Sequence, residues 1–458
     1  MTSITLDDIR DSGNGGARRG PLLRRVAVIG LAAIAAGAVI GWWVSTPSPT
    51  GSTTVSAAIT RTPQEAIARF EQMTVDQPDN ARAWQNLATT YVQGVAAGEP
   101  LELYNRAEAA IGRSRALAPG DRMNDVAAGY LGLARHDFAT ARVHGLAAHE
   151  SDPFDSNALA ILIDAEIELG NYTAAGERIE ALLALRPGLA AYSRLSYFRE
   201  LNGDINGARE AFALAETAGA GSEFDLANVA VLRGKLAVAH GNANEAASAF
   251  ERARQYVATA NGATAGEARV LIARGEYARA TAQLEQAMVD EPSAENALLL
   301  RDLYLFQGTT AGVPALDTFL DDNASEERAA GADVDLELGV IEADRGNAAE
   351  AVRLAQRAYD TRPENVFTAS GLAWALHVAG DDAAALPYVD RSLRLGTQDA
   401  VFRYRAAVVL AANGQADRAA QELATAFAIN PAFSLAKHAD ACALAADLGV
   451  ECPVLSGT

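Results

Sequence analysis

LAILIDAEIELGNYTAAGERIEALLALRP, residues 159–187, spans most of one structural unit. Apolar side chains recur at helical spacing up to Gly170, where a glycine past a helix end supplies a left-handed residue. Asn171 then offers a side chain able to cap the next helix. Ala175, five residues after the glycine, lets the second helix approach the first. Pro187 closes the unit, because proline has no N–H to donate to a continuing helix.

The same signals run along most of the chain. Glycines stand at Gly170, Gly203, Gly241, Gly275, Gly308, Gly346, Gly380 and Gly414, with spacings of 33, 38, 34, 33, 38, 34 and 34. Alanine follows five residues later at Ala175, Ala208, Ala246, Ala280, Ala351, Ala385 and Ala419; Val313 is the exception. Asn or Asp often comes directly after the glycine, as at Asp204, Asn242, Asn347 and Asp381, and is expected to cap. Prolines close units at Pro78, Pro119, Pro153, Pro187, Pro292, Pro363 and Pro431. In the seventh unit Val313-Pro314 is expected to interrupt the second helix. The acidic run at 321–327 reads as a solvated loop.

A helix-turn-helix unit of about 34 residues carrying this pattern resembles the tetratricopeptide repeat. About ten units lie between roughly 81 and 431, after a half unit with Ala66, Phe70 and Pro78. The expected fold is therefore all-α: a superhelical tetratricopeptide-repeat solenoid over residues 62–436, a C-terminal cap and tail at 437–458, and one N-terminal transmembrane helix.

That helix is residues 26–44, VAVIGLAAIAAGAVIGWWV, an uncharged run of 19 residues. At about 1.5 Å per residue it matches a hydrocarbon core of about 30 Å. Arg24 and Arg25 precede it, while Trp42 and Trp43 stand at its far end, where indoles favour the interface. The positive-inside rule places the basic tail, 1–25, in the cytoplasm and the repeats outside. The apolar run is longer than a secretory signal, so we read an uncleaved signal anchor in a single-pass cell-membrane protein. Ala33, Gly37 and Gly41 share one face and offer a route to a homo-oligomer through the membrane helix. Residues 45–61 form a Ser/Thr/Pro-rich stalk.

Composition removes several functions. A net charge of −20 argues against nucleic acid as a partner. No phosphate loop, nucleophile elbow or His-Glu-x-x-His helix is present, and the six histidines never pair at i, i+4. No enzyme activity, cofactor or metal site is expected. Cys442 and Cys452, the only cysteines, are ten residues apart with Gly449 and Pro453 between and beyond them. They are expected to form a disulfide in an oxidising compartment.

The repeat resemblance implies that the first helix of each pair lines a concave groove. On that register the groove residues include Gln85, Tyr130, Asn157, Asp164, Tyr197, Glu200, Asn228, Lys235, Arg269, Asp302, Trp374, His377 and Tyr404. The two-lysine carboxylate clamp of co-chaperone repeats is missing, since Lys235 is the only lysine in the first nine units. The expected function is a membrane-anchored scaffold whose extracytoplasmic groove holds a protein or peptide, with envelope assembly or biogenesis as its setting. The alternative is a glycan- or small-molecule-binding protein, or an enzyme, built on helical repeats.

Overall fold

The computed structural model describes residues 62–218 and 223–455. The membrane segment at 26–44, the small-residue face of Ala33, Gly37 and Gly41, and the stalk lie outside these residues. No helix among the described residues is long and apolar enough to cross a membrane.

The described residues form α-helices and a single 3-10 turn, with no strand. A lone helix, Pro63–Asp76, leads into ten antiparallel helix pairs, and His438–Leu448 covers the last one. The first pair is Ala81–Ala96 with Leu103–Leu117; the last is Ala400–Ala412 with Ala416–Ile429. All eight repeat glycines have positive φ, between 69° and 82°. Each sits just past the first helix of its pair, as the Gly170 turn illustrates: Asn171 N–H reaches back to Glu166 O at 2.8 Å. The seven repeat alanines are all 0 % exposed, so the second helices seat against the first at a methyl group. The prolines stand two residues beyond their helices, as Pro187 does after Tyr172–Leu185.

Three local expectations are corrected. Pro314 does not break its helix; it lies in the first turn of Val313–Ala329, where its missing N–H costs nothing. The acidic run 321–327 is part of that same helix, with Asn323 and Glu327 buried. Asn171 and Asn347 do not cap, and donate instead to Glu166 and Glu342, each at 2.6 Å. By contrast Asp204, Asn242 and Asp381 do accept cap hydrogen bonds. The two 38-residue spacings contain the two longest helices among the described residues, Glu223–Ala239 and Val313–Ala329, of 17 residues each.

The array curves so tightly that its second superhelical turn rests on its first. The turn inside the second pair meets the turn after the seventh: Arg135 Nε donates to Ala330 O at 2.8 Å, and Asp333 N–H donates to Arg135 O at 2.8 Å. One pair later, Asn365 Nδ2 donates to Glu168 O at 2.9 Å, and Val366 N–H donates to Tyr172 Oη at 3.1 Å. Further on, Asn430 Nδ2 donates to Val238 O at 3.2 Å. These partners lie 192 to 197 residues apart, apart from Asp333 and Arg135, whose separation is 198. Apolar packing crosses the same seam, where Leu159, Ile163, Leu336, Val366, Phe367 and Phe402 share one cluster.

Glycine is needed twice over at this seam. A Cβ on Gly170 would lie 2.2 Å from the Glu364 carbonyl carbon, and one on Gly203 would lie 2.5 Å from Gly396 O. The second pair has His136 in the glycine position, the one positive-φ residue other than glycine among those described, at φ 58°. Its Nδ1 sits 3.0 Å from Asp333 O.

At the C-terminus Cys442 and Cys452 are bridged, with Cα atoms 5.2 Å apart. The bridge draws the chain back over the cap, and Leu455 is buried in the cluster that contains Leu300 and Leu435.

Gly203→Val adds a left-handed β-branched residue and a clash with the second turn, so chemical denaturation should show a loss of several kcal/mol. Gly346→Val has the same φ penalty without a neighbour within 4 Å. Its loss should be smaller by the cost of the seam clash.

Candidate binding cavity inside the superhelix

Seating one turn on the other closes the inner face. Few of the residues expected in an open groove are free to meet a large partner. Tyr130 is 2 % exposed, and its hydroxyl pairs with Asn157 Oδ1 at 3.1 Å. Asp164 and Arg194 form a buried bidentate pair, at 2.9 and 2.7 Å. Trp374 is core, not a groove anchor. It is 5 % exposed, donates to Asp344 Oδ1 at 2.9 Å, and stacks on His377 with ring centroids 5.4 Å apart. Arg405 and Lys437 lie over its ring at 5.6 and 5.7 Å. His377 Nδ1 is 2.5 Å from Asp382 Oδ1. Tyr404 is buried beside Trp374 and Phe433. Gln85 is buried against Asn124. Asn228 is half-buried and joins none of these groups.

Tyr197, Glu200, Lys235, Arg269 and Asp302 do come together. They line a cavity of about 150 Å³ between the two superhelical turns. The first turn supplies Tyr197 and Glu200 from Leu189–Leu201, Lys235 from Glu223–Ala239, and Arg269 from Ala263–Ala273. Glu295 and Asp302 come from Ala294–Phe306, and the second turn closes the space with residues 397–401 and 432–435. The helical register predicted the first-turn residues. It did not predict Glu295, which lies in the first turn of the helix that also carries Asp302, or Gln398 and Asp399, which arrive from a turn almost 200 residues after Glu200.

The electrostatics divide the cavity in two. Lys235 Nζ is 2.9 Å from Glu295 Oε2, with both side chains buried, and Arg269 Nη2 is 3.5 Å from Glu295 Oε1. Burial alone would push Glu295 up, but these two cations hold its carboxyl below the usual range. Opposite lie carboxylates that burial raises. Glu200 is pushed up to about 8 by burial and then by the like charge of Asp399. Asp302 rises to about 6 through burial and Asp344. Asp399 rises to about 6 through burial, although its carboxylate caps Phe402 N–H at 2.9 Å. Tyr197 donates to Glu168 Oε1 at 3.3 Å, and burial raises its hydroxyl well above the ordinary value.

No protein-family profile matches the chain, and no curated protein matches it. Solved structures similar to it include PilW, a widely conserved type IV pilus biogenesis factor, at 19 % identity and a TM-score of 0.34 over 44 % of this chain and 89 % of that one. A human IFIT1 dimer with m7Gppp-AAAA is similar at 14 % identity and a TM-score of 0.42, over 72 % of this chain and 76 % of that one. A tetratricopeptide repeat protein from Parabacteroides merdae ATCC 43184 is similar at 12 % identity and a TM-score of 0.28, over 68 % and 93 %. At such identities and scores none of them transfers a partner or an activity.

Glu200 keeps its proton in the folded chain up to about pH 8, whereas the unfolded chain releases it near 4.5. The folded state binds more protons across that window, so stability falls as pH rises through it and levels off above. Thermal unfolding should show Tm decreasing between about pH 5 and pH 8.5, and Glu200→Gln should flatten the slope.

Proposed function

We propose that this chain is a membrane-anchored helical-repeat scaffold, without catalytic activity, that holds a protein or peptide partner outside the cytoplasm. Residues 26–44 anchor it, residues 45–61 carry it clear of the bilayer, and the repeats form the working body. The supporting observation is the two-turn stack itself. A repeat array presents an extended surface to a macromolecule, and closure of the inner face leaves the outer helices and turns as that surface. The groove of the open-array reading is accordingly replaced by the outside of the stack. The bridged cap suits an oxidising compartment, where a disulfide persists.

Cross-linking of the full chain in its native membrane, followed by purification and mass spectrometry, tests the reading. The reagent must be photoreactive or carboxyl-directed, because Lys235 and Lys437 are the only lysines and Lys235 is buried. One recurrent protein cross-linked to outer helices is the expected result. Reproducible absence of any protein would overturn the scaffold.

Topology is tested separately. Protein taken from cells without reductant should carry a 442–452 bridge, and deleting 26–44 should move it out of the membrane fraction. Two free thiols on protein from cells would remove the case for export.

A further inference from the structure

The cavity between the two turns has a chemistry that the scaffold reading does not use. Its walls carry four carboxylates, Glu200, Glu295, Asp302 and Asp399, against two cations, Lys235 and Arg269. Both cations are already engaged by Glu295. Among the described residues no donor or cation contacts the Glu200 carboxylate, and the charge acting on it is Asp399, of the same sign.

His240 lines the cavity beside these carboxyls. Its ring hydrogen-bonds to the backbone at two positions, with Nδ1 2.9 Å from Leu236 O and Gln398 as the second partner. Burial lowers the pKa of His240, which keeps the ring neutral. The cavity therefore holds more carboxyl groups than cations to pair them.

The acceptors are also too dispersed for a bare metal ion. Among the described residues, the one group of three such side chains with its ligand atoms within 4.8 Å of one another is His438, Cys442 and Cys452, at the bridged cap. An organic cation can span the distance, and Ile272, Leu299 and Phe367 offer apolar wall for its methylenes.

There is also a way in. An open recess of about 340 Å³ lies at the seam, between residues 203–209 of the first turn and 428–429 of the second. His240 and Gln398 line both this recess and the cavity. We propose that the cavity binds a small primary amine or diamine, which enters through the seam past His240 and Gln398 and links the two superhelical turns through Glu200 and Asp399.

Binding exchanges protons for the ligand. In the empty cavity the Glu200 carboxyl carries a proton up to about pH 8, and the amine must displace it. The charges facing the carboxyls are known: Asp399 faces Glu200, Arg403 and Arg405 act on Asp399, and Asp344, Arg301, Arg269 and Lys437 act on Asp302. Affinity should thus rise with pH up to about 8, where Glu200 loses its proton.

The test is calorimetric titration of putrescine into the detergent-solubilised full chain, with succinate as the size-matched anion. Putrescine should bind, succinate should not, and affinity should rise about tenfold or more between pH 6.5 and pH 8.5. Glu200→Gln should weaken binding at least tenfold and remove most of the pH dependence. Asp399→Asn, which keeps the cap on Phe402, should weaken it as well. A raised or unchanged Tm shows that each variant is folded. Absence of heat at millimolar putrescine at both pH values, or wild-type affinity in Glu200→Gln, would overturn the proposal. Neither result bears on the protein partner, which the cross-linking decides.

Discussion

The structure depends on one repeated contact: the turn inside a pair in the first superhelical turn meets the turn between pairs in the second. Both partners are backbone-rich and polar, with amides or carbonyls left over from helix ends. The seam satisfies them against each other, as Asp333 N–H does on Arg135 O and Asn430 Nδ2 on Val238 O. Each bond contributes only about 1 kcal/mol net. Their effect comes from recurrence at the repeat period, with apolar packing between them, such as Ile163 and Tyr172 in one cluster with Val366 and Phe367.

Closing the seam changes what the inner helices can do. In an open array their polar side chains would face water. Here Asp164, Arg194, Lys235 and Glu295 are each at most 5 % exposed and must find partners. A buried ion pair roughly offsets its own desolvation, so these pairs add little stability but penalise any other register of one turn on the next. Where pairing is incomplete, at Glu200, Asp302 and Asp399, burial raises the carboxyls instead. Those carboxyls mark the cavity.

The cap has a related role. A solenoid leaves its last apolar face uncovered, and terminal elements must close it. His438–Leu448 packs Ala441 and Ala445 there, and the Cys442–Cys452 bridge returns the chain so that Leu455 is buried beside Leu435. The pieces are close in sequence, which is why spacing alone pointed to the cap.

Local structure was legible because its determinants are local. Positive φ at the eight glycines and complete burial of the seven alanines follow from helix ends and close helix approach, each decided within a dozen residues. Where the reading failed, a neighbour in sequence was misjudged: Pro314 stands in a first helical turn instead of an interior, so the acidic run after it continues the helix. The inner face was another matter. Its register named Tyr197, Glu200, Lys235, Arg269 and Asp302, which line one cavity in the structure. Only the tertiary structure buried Tyr130, Lys235 and Trp374, placed Asp399 opposite Glu200, and put His136 against Asp333. The pitch of a superhelix sums small rotations between successive pairs, and no single unit encodes which pair arrives after almost 200 residues. The sequence by itself determined the repeat; the accumulated curvature decided that its groove would close into a cavity.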